Sequence, residues 1–215
     1  MWKQYFKQAW ALLKQNPLFS TLYIVGTGLA IGMTMAIALI FYVKLAPVYP
    51  EENRARMLYL QRAKFTSEKQ SWQSGLSYRA LQDWALGFKN AEAISAGLAD
   101  EALMNAYIQP DDRSGDFQPV VRLVDSAFFR VYTFRFLEGN PFTEADLRSG
   151  IRTAVITDDL ARRLFGAVEG AVGKTFSLDY SRYRVCGVVR GGSYLTIDSY
   201  AKVYVPYSVS PDYRK

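Results

Sequence analysis

The sequence predicts an α+β protein with an N-terminal amphipathic helix, a single transmembrane helix and a mixed α+β domain after it. Three observations predict this. Residues 15–43 contain no charged side chain. Before them, aromatic and basic residues recur at helical spacing. After Pro47 and Pro50, short runs of strand-like and helix-like period alternate between turn residues.

The first element covers residues 1–16. Trp2, Phe6, Trp10 and Leu13 fall on one helical face, with Lys3, Lys7 and Lys14 mostly on the other. A basic amphipathic helix carrying tryptophans suits the surface of a lipid bilayer. Asn16-Pro17 then interrupts it, because proline disfavours helical backbone at the residue before it.

The second element covers residues 17–44. Its uninterrupted apolar core, Leu18–Val43, is 26 residues long. At about 1.5 Å per residue it reaches about 39 Å, enough to cross a hydrocarbon layer of about 30 Å with some tilt. A cleaved signal peptide needs an apolar region of only about 7–15 residues and a small-residue cleavage site. Leu45-Ala46-Pro47 is a poor site, so the helix is expected to stay. Lysines and no acids precede the span, which favours a cytoplasmic N-terminus and an extracytoplasmic domain. Gly28, Gly32 and Ala36 recur every fourth residue and form a smooth stripe suited to close packing with another membrane helix.

The domain covers residues 45–215. Arg56–Phe65 alternates and is expected to be a strand, and Thr66–Gly75 a loop. Ser77 is placed to cap a helix through Phe88, with Leu81, Trp84, Ala85 and Phe88 on one face. Ala91–Leu98, Leu103–Gln109 and Phe117–Val124 read as strands, separated by a turn at Asp100-Glu101 and a loop at Pro110–Gly115. A helical turn is expected at Ser126–Val131 and strands at Thr133–Leu137 and Arg152–Ile156. Thr157–Phe165 has the punctuation of a helix: Thr157 as cap, Asp158 and Asp159 in the first turn, Arg162 and Arg163 in the last, and Gly166 beyond it. Thr175–Leu178, Tyr183–Arg190 and Lys202–Val205 complete the strands.

Composition narrows the chemistry. Half of the 215 residues are hydrophobic and 21% are charged, which suits a chain with a sizeable core and excludes a disordered one. There is no histidine, so a Ser-His-Asp triad, a Cys-His pair and imidazole metal sites are excluded. The one cysteine, Cys186, excludes an intrachain disulfide and a cysteine cluster. Residues 1–44 hold four of the 26 basic residues and no acid, leaving 22 basic against 20 acidic in the remainder. The net charge of +6 is thus concentrated beside the apolar run, and nucleic acid is not expected as a partner.

Local motifs give no catalytic residue, cofactor site or metal site. Val172-Gly-Lys-Thr175 lacks the upstream glycine of a phosphate loop; Val168 holds that position. Asp111, Asp112 and Asp116 have the wrong spacing for a helix–loop–helix calcium site. Adjacent Asp158 and Asp159 serve the end of a helix better than acid–base chemistry. Cys186 sits in an apolar strand with no histidine to activate it.

Several ordered patterns together resemble the N-terminal part of MacB/FtsX-type ABC transporter permeases. They are Arg56–Tyr59 after the span, Ser77–Trp84, Val124–Gly139 (VDSAFFRVYTFRFLEG), Ala154–Gly166 (AVITDDLARRLFG), Val172–Lys174, Tyr183–Val189 and Val203–Pro206. The resemblance implies a domain of the MacB periplasmic core type. It implies a permease component in the cell inner membrane with no catalytic residue of its own. Its partners would be the membrane lipid bilayer, a cognate ABC ATPase subunit, a second permease copy, and a periplasmic or outer-membrane partner. Such permeases have at least four membrane helices, three of them after the periplasmic domain. The end of that domain and those helices are therefore expected to be missing after Lys215. The competing expectation is a stand-alone, single-pass anchored binding or adaptor domain without transport.

Overall fold

A computed structural model describes residues 2–60, 63–66, 71–74, 88, 90–98, 103, 105–110 and 115–210. They fall into two compact units, Met1–Ala46 and Pro47–Lys215.

In the first unit, α1 (Trp2–Gln15) and α2 (Pro17–Leu45) meet at Asn16. Asn16 leaves helical geometry, with φ −129° and ψ 69°. Proline has no N–H for the preceding turn, so the junction depends on its neighbours. Asn16 N–H donates to Leu12 O at 3.3 Å, and Ser20 N–H donates to Asn16 O at 3.0 Å. α2 is long and apolar enough to cross a membrane, and none of that stretch is buried within the chain.

The second unit is built on a mixed sheet. The described strands are β1 (Ala63–Thr66), β2 (Ser71–Ser74), β3 (Gly97–Leu98), β4 (Ile108–Gln109), β5 (Val121–Val124), β6 (Phe136–Gly139), β7 (Thr153–Thr157), β8 (Thr175–Leu178), β9 (Ser181–Val189) and β10 (Val203–Pro206). Among the described residues, three helices join them: α3 (Phe128–Val131), α4 (Glu144–Ser149) and α5 (Asp158–Phe165). β1 and β2 form an antiparallel pair; the others form one sheet in the order β3-β5-β10-β7-β9-β8-β4. β6 pairs with the second half of β9, while β8 pairs with the first half. One long strand therefore organises this side of the sheet. β7 runs parallel to β9, and β10 runs parallel to β5 but antiparallel to β7.

β7 and β10 are buried at every position, so both sheet faces are covered there. On one side lies an aromatic cluster. Phe128, Phe129 and Phe134 surround Tyr204, with ring centroids 5.6, 5.8 and 5.2 Å from it. Tyr204 is fully buried, yet its hydroxyl is satisfied: it donates to Ser199 O at 2.8 Å and accepts from Ala201 N–H at 3.2 Å. This is what a buried phenol requires.

Several boundaries differ from the sequence expectation. Arg54–Arg56 is a 3₁₀ turn and Met57–Leu60 joins no ladder, and the first described strand is Ala63–Thr66. The alternation is still real, because Met57 and Tyr59 are half-buried while Leu58 and Leu60 are exposed. Ser71–Ser74 is a strand inside the expected loop, pairing Trp72 with Phe65. Ala91–Leu98 keeps only β3, since Ser95 Oγ–H and Ala96 N–H both donate to the Asp125 carboxylate at 2.8 Å. Among the described residues of Leu103–Gln109, only β4 is a strand. Phe117 bridges Ile108 alone, and Pro119, which cannot donate, separates it from β5.

The strand expected at Thr133 starts at Phe136, because Thr133 N–H donates to Pro50 O at 2.9 Å. Helix α4 was not expected. Thr143 and Asp146 form a reciprocal capping box at its start, and Gly150 ends it at φ 67°. The helix expected at Ser77–Phe88, the turn at Asp100-Glu101 and most of the acidic Asp111–Asp116 loop lie outside the described residues.

Candidate functional site

The stripe Gly28, Gly32 and Ala36 is exposed along α2. A Cβ added at Gly28 or Gly32 would meet nothing within 4 Å. No described part of this chain therefore covers the stripe.

The rejected chemical motifs have structural explanations. Val172–Thr175 is a turn into β8, with Gly173 at φ 89° and exposed Lys174 5.1 Å from the Phe165 ring centre. Cys186 Sγ–H donates to Ala154 O at 3.3 Å, and burial pushes its thiol up to about 12. A thiol that far above neutrality is a poor nucleophile. Among the described residues, no three of Asp, Glu and Cys gather where they could hold a metal ion.

Asp158 and Asp159 sit at the start of α5 as expected, and Gly166 ends that helix at φ 80°. Thr157 occupies the cap position, but its hydroxyl makes no capping bond. Asp158 supplies an acceptor instead, taking Gly191 N–H at 2.9 Å and Arg162 Nη1–H at 2.9 Å. Asp159 pairs with Lys202. Burial alone would raise both carboxyls. The Gly191 amide and Arg162 guanidinium beside Asp158, and the Lys202 ammonium beside Asp159, override it and hold both below the ordinary value.

Among the described residues outside the sheet, the segment Tyr49–Arg54, near the start of the second unit, is heavily bonded. Tyr49 OH donates to Arg190 O at 2.9 Å and accepts from Arg135 N–H at 3.1 Å. The Arg135 guanidinium lies 5.5 Å from the Tyr49 ring centre and bonds Glu52 at 3.3 Å. Pro50 O accepts both Thr133 N–H at 2.9 Å and Thr133 Oγ–H at 3.0 Å. Glu51 is only 1% exposed. Its carboxylate accepts from Ser199 Oγ–H at 2.6 Å and from Arg54 Nε–H at 2.9 Å, with the second Arg54 nitrogen also in contact.

Together these bonds clasp the segment to the turn before β6 and to the loop between β9 and β10. A buried carboxylate is stable only when paired and hydrogen-bonded, and Glu51 is both. For Arg54, burial alone would lower the guanidinium's value; the Glu51 carboxylate raises it instead. Burial pushes the nearby Tyr59 and Tyr132 phenols up, and the Glu51 charge adds to it.

Sequence reading missed this clasp. Glu51 stands in a polar stretch, Pro-Glu-Glu-Asn-Arg-Ala-Arg, with no apolar period to suggest burial. The available signal was the charge pair Glu51 and Arg54 at helical spacing.

The match to known proteins decides the family. Residues 20–214 match the family described as the MacB-like periplasmic core domain. The chain belongs to that family. It is similar to the pyoverdine export ATP-binding/permease protein PvdT of Pseudomonas fluorescens, 31% identical over 88 residues, covering 40% of this chain and 13% of that protein. It is also similar to the macrolide export ATP-binding/permease protein MacB of Burkholderia cenocepacia, 30% identical over 100 residues, covering 46% of this chain and 14% of that protein. The matched stretches thus span 13–14% of the relatives' own length.

Among solved structures, the extracellular domain of the noncanonic ABC-type transporter YknZ from Gram-positive bacteria superposes with a TM-score of 0.49 at 20% identity. It covers 61% of this chain and 63% of that one. The periplasmic region of MacB from Actinobacillus actinomycetemcomitans gives a TM-score of 0.39 at 21% identity, covering 54% and 47%. The PvdT and Burkholderia cenocepacia MacB relatives are both named as export ATP-binding/permease proteins. Among the described residues of this chain, one N-terminal helix is long and apolar enough to span a membrane.

Proposed function

We propose that the chain is the membrane-anchored part of a permease in a MacB/FtsX-like ABC transport system. α1 lies at the cytoplasmic membrane surface, α2 spans the inner membrane, and the MacB-like core is periplasmic. In this reading a cognate ABC ATPase drives motion of the membrane helices, and the core carries that motion to a periplasmic or outer-membrane partner. The Gly28/Gly32/Ala36 stripe packs on another helix of the permease or of a second copy.

The observation that carries the reading is the clasp. Motion arriving along α2 enters the core at Pro47, and within four residues the chain is bonded to Arg190 just after β9, to the turn before β6 and to Ser199. A flexible tether would absorb such motion. A segment stiffened by its own buried ion pair and held by five hydrogen bonds to the surrounding loops, at Tyr49, Pro50 and Glu51, passes it to the sheet.

The test is capture from native membranes of the source cell with an antibody to residues 51–215, followed by identification of what comes with it. Co-purification of an ATP-binding subunit, or of an ATP-binding domain on the same chain, is the expected result. A membrane complex holding neither would overturn the transport reading in favour of an anchored adaptor.

A further inference from the structure

Helix α1 carries two parallel polar rows. Lys3, Lys7 and Lys14 form one, and Gln4, Gln8 and Gln15, each one residue later, form the other. At 3.6 residues per turn each row stays within about 40° of the helix circumference, and the rows lie about 100° apart. Opposite them an apolar arc of about 160° runs from Leu12, beside the glutamines, to Trp10, beside the lysines. The charge of α1 therefore follows one border of its apolar face, and residues 1–44 hold no acid to neutralise it. Along the axis the lysines are spaced by about 6 and 10.5 Å. Lys14 Nζ lies 6.0 Å from the Trp10 ring centre, so the end of the row runs against the aromatic border.

No residue of α1 is buried, and Trp2, Phe6 and Trp10 are 87, 79 and 62% exposed. Chain continuity indicates what covers them. Only Asn16 separates Gln15 from Pro17, the first residue of α2, and both helices belong to the same unit. At no more than about 3.6 Å per residue, that link holds the end of α1 within about 7 Å of the start of α2. α2 is long and apolar enough to cross a membrane. The exposed aromatic face of α1 therefore begins at a bilayer surface. Tryptophan rings settle at headgroup level there, and a lysine lays its stem along the apolar side while its ammonium reaches the phosphates. A zwitterionic headgroup balances its phosphate with a cation of its own. An anionic headgroup leaves that charge for the lysine row. Each lysine near an anionic surface favours binding about fivefold, and three together about 100-fold.

We propose that Lys3, Lys7 and Lys14 form a binding row for anionic phospholipid headgroups along the Trp10 border of α1. The row gathers such lipids around the start of α2. This deepens the placement of α1 at the membrane surface and rests on α2 spanning the bilayer.

The test uses the full chain reconstituted in phosphatidylcholine vesicles that hold a trace of spin-labelled phosphatidylglycerol or spin-labelled phosphatidylcholine. The fraction of each labelled lipid that is immobilised by the protein is read from its spectrum. The expected result is a several-fold preference for phosphatidylglycerol, weakened by high salt. Lys3→Gln/Lys7→Gln/Lys14→Gln should lose most of it, and Lys44→Gln, at the far end of the span, should keep it. Equal immobilisation of the two lipids overturns the binding row, and so does a preference that survives the triple variant.

A second measurement separates this outcome from failure of the underlying reading. Nitroxides are placed singly at Phe6→Cys, Gln8→Cys and Met33→Cys in the chain with Cys186→Ser. Their collisions are read with oxygen, which partitions into lipid, and with a neutral, water-soluble nickel chelate. Labels at 6 and 33 in lipid and at 8 in water are expected. With that pattern, a missing lipid preference overturns the binding row alone. A label at 6 as open to nickel as that at 8 overturns the surface placement of α1 and the row with it. Shielding of 6 from both relaxants marks contact with protein and overturns the row as well. A water-exposed label at 33 overturns the spanning helix and everything that rests on it.

Discussion

Glu51 accepts a 2.6 Å hydrogen bond from Ser199, a residue 148 positions later in the chain. The bond is fully buried, and Arg54 closes the other side of the carboxylate. Removing one partner of such a pair leaves an uncompensated charge. Arg54→Met is expected to cost about 3–5 kcal/mol, and Ser199→Ala about 2 kcal/mol. The double change Glu51→Leu/Arg54→Met removes both charges and should cost less than Arg54→Met alone. Urea unfolding of the detergent-solubilised chain measures all three. A loss below about 1 kcal/mol for Arg54→Met would show that the ion pair does not hold the clasp.

Two glycines separate backbone strain from steric exclusion. Gly139 and Gly150 have nearly the same φ, 69° and 67°. At Gly150 a Cβ meets nothing within 4 Å, whereas at Gly139 it lies 2.3 Å from Cys186 O and 2.8 Å from Val172 Cγ2. Gly150→Ala should therefore show only the left-handed penalty, about 1–2 kcal/mol. Gly139→Ala must also push β6 away from β9, adding about 1–3 kcal/mol or more. Equal melting temperatures for the two variants would contradict this.

What the sequence made legible was whatever depends on neighbours along the chain. The apolar run of α2, the break at Asn16-Pro17 and the ends of α5 are local, and each was readable. β8 was legible because its alternation faces one covered side. The errors came where a distant group took over a backbone donor. Asp125 takes the amide of Ala96 and shortens one strand, and Pro50 O takes that of Thr133 and delays another. The clasp escaped for the same reason, since Ser199 gives Glu51 its burial and no periodicity links the two. The α4 capping box at Thr143 and Asp146 was local and readable; it was overlooked behind Asn140-Pro141.

Acid should loosen the start of α5. Asp158 and Asp159 have folded values below the ordinary aspartate value of about 3.9. A depressed carboxyl contributes stability that is present above its unfolded pKa and lost as pH falls through the folded one. The loss is therefore expected below about pH 4. Melting temperature measured from neutral pH down to about 2 should fall less steeply for Asp158→Asn/Asp159→Asn than for the native chain. Parallel acid limbs would mean that other carboxylates set the acid response.

The α2 stripe gives the most direct handle on assembly. Gly28 and Gly32 have open space around them, so larger side chains create no clash inside the chain. On the proposed packing, what Gly28→Leu/Gly32→Leu disturbs is the approach of a partner helix. Small residues at every fourth position let two helix backbones approach and gain van der Waals contact, and leucine removes that approach. Leucine is also more apolar than glycine, so insertion should be unimpaired. In a membrane two-helix association assay the double variant is expected to lose most of the native signal. Leu29→Ala, which leaves the stripe untouched, should retain it. Undiminished association of the double variant would mean the stripe is composition rather than an interface, and the assembly contacts would have to be sought elsewhere on α2.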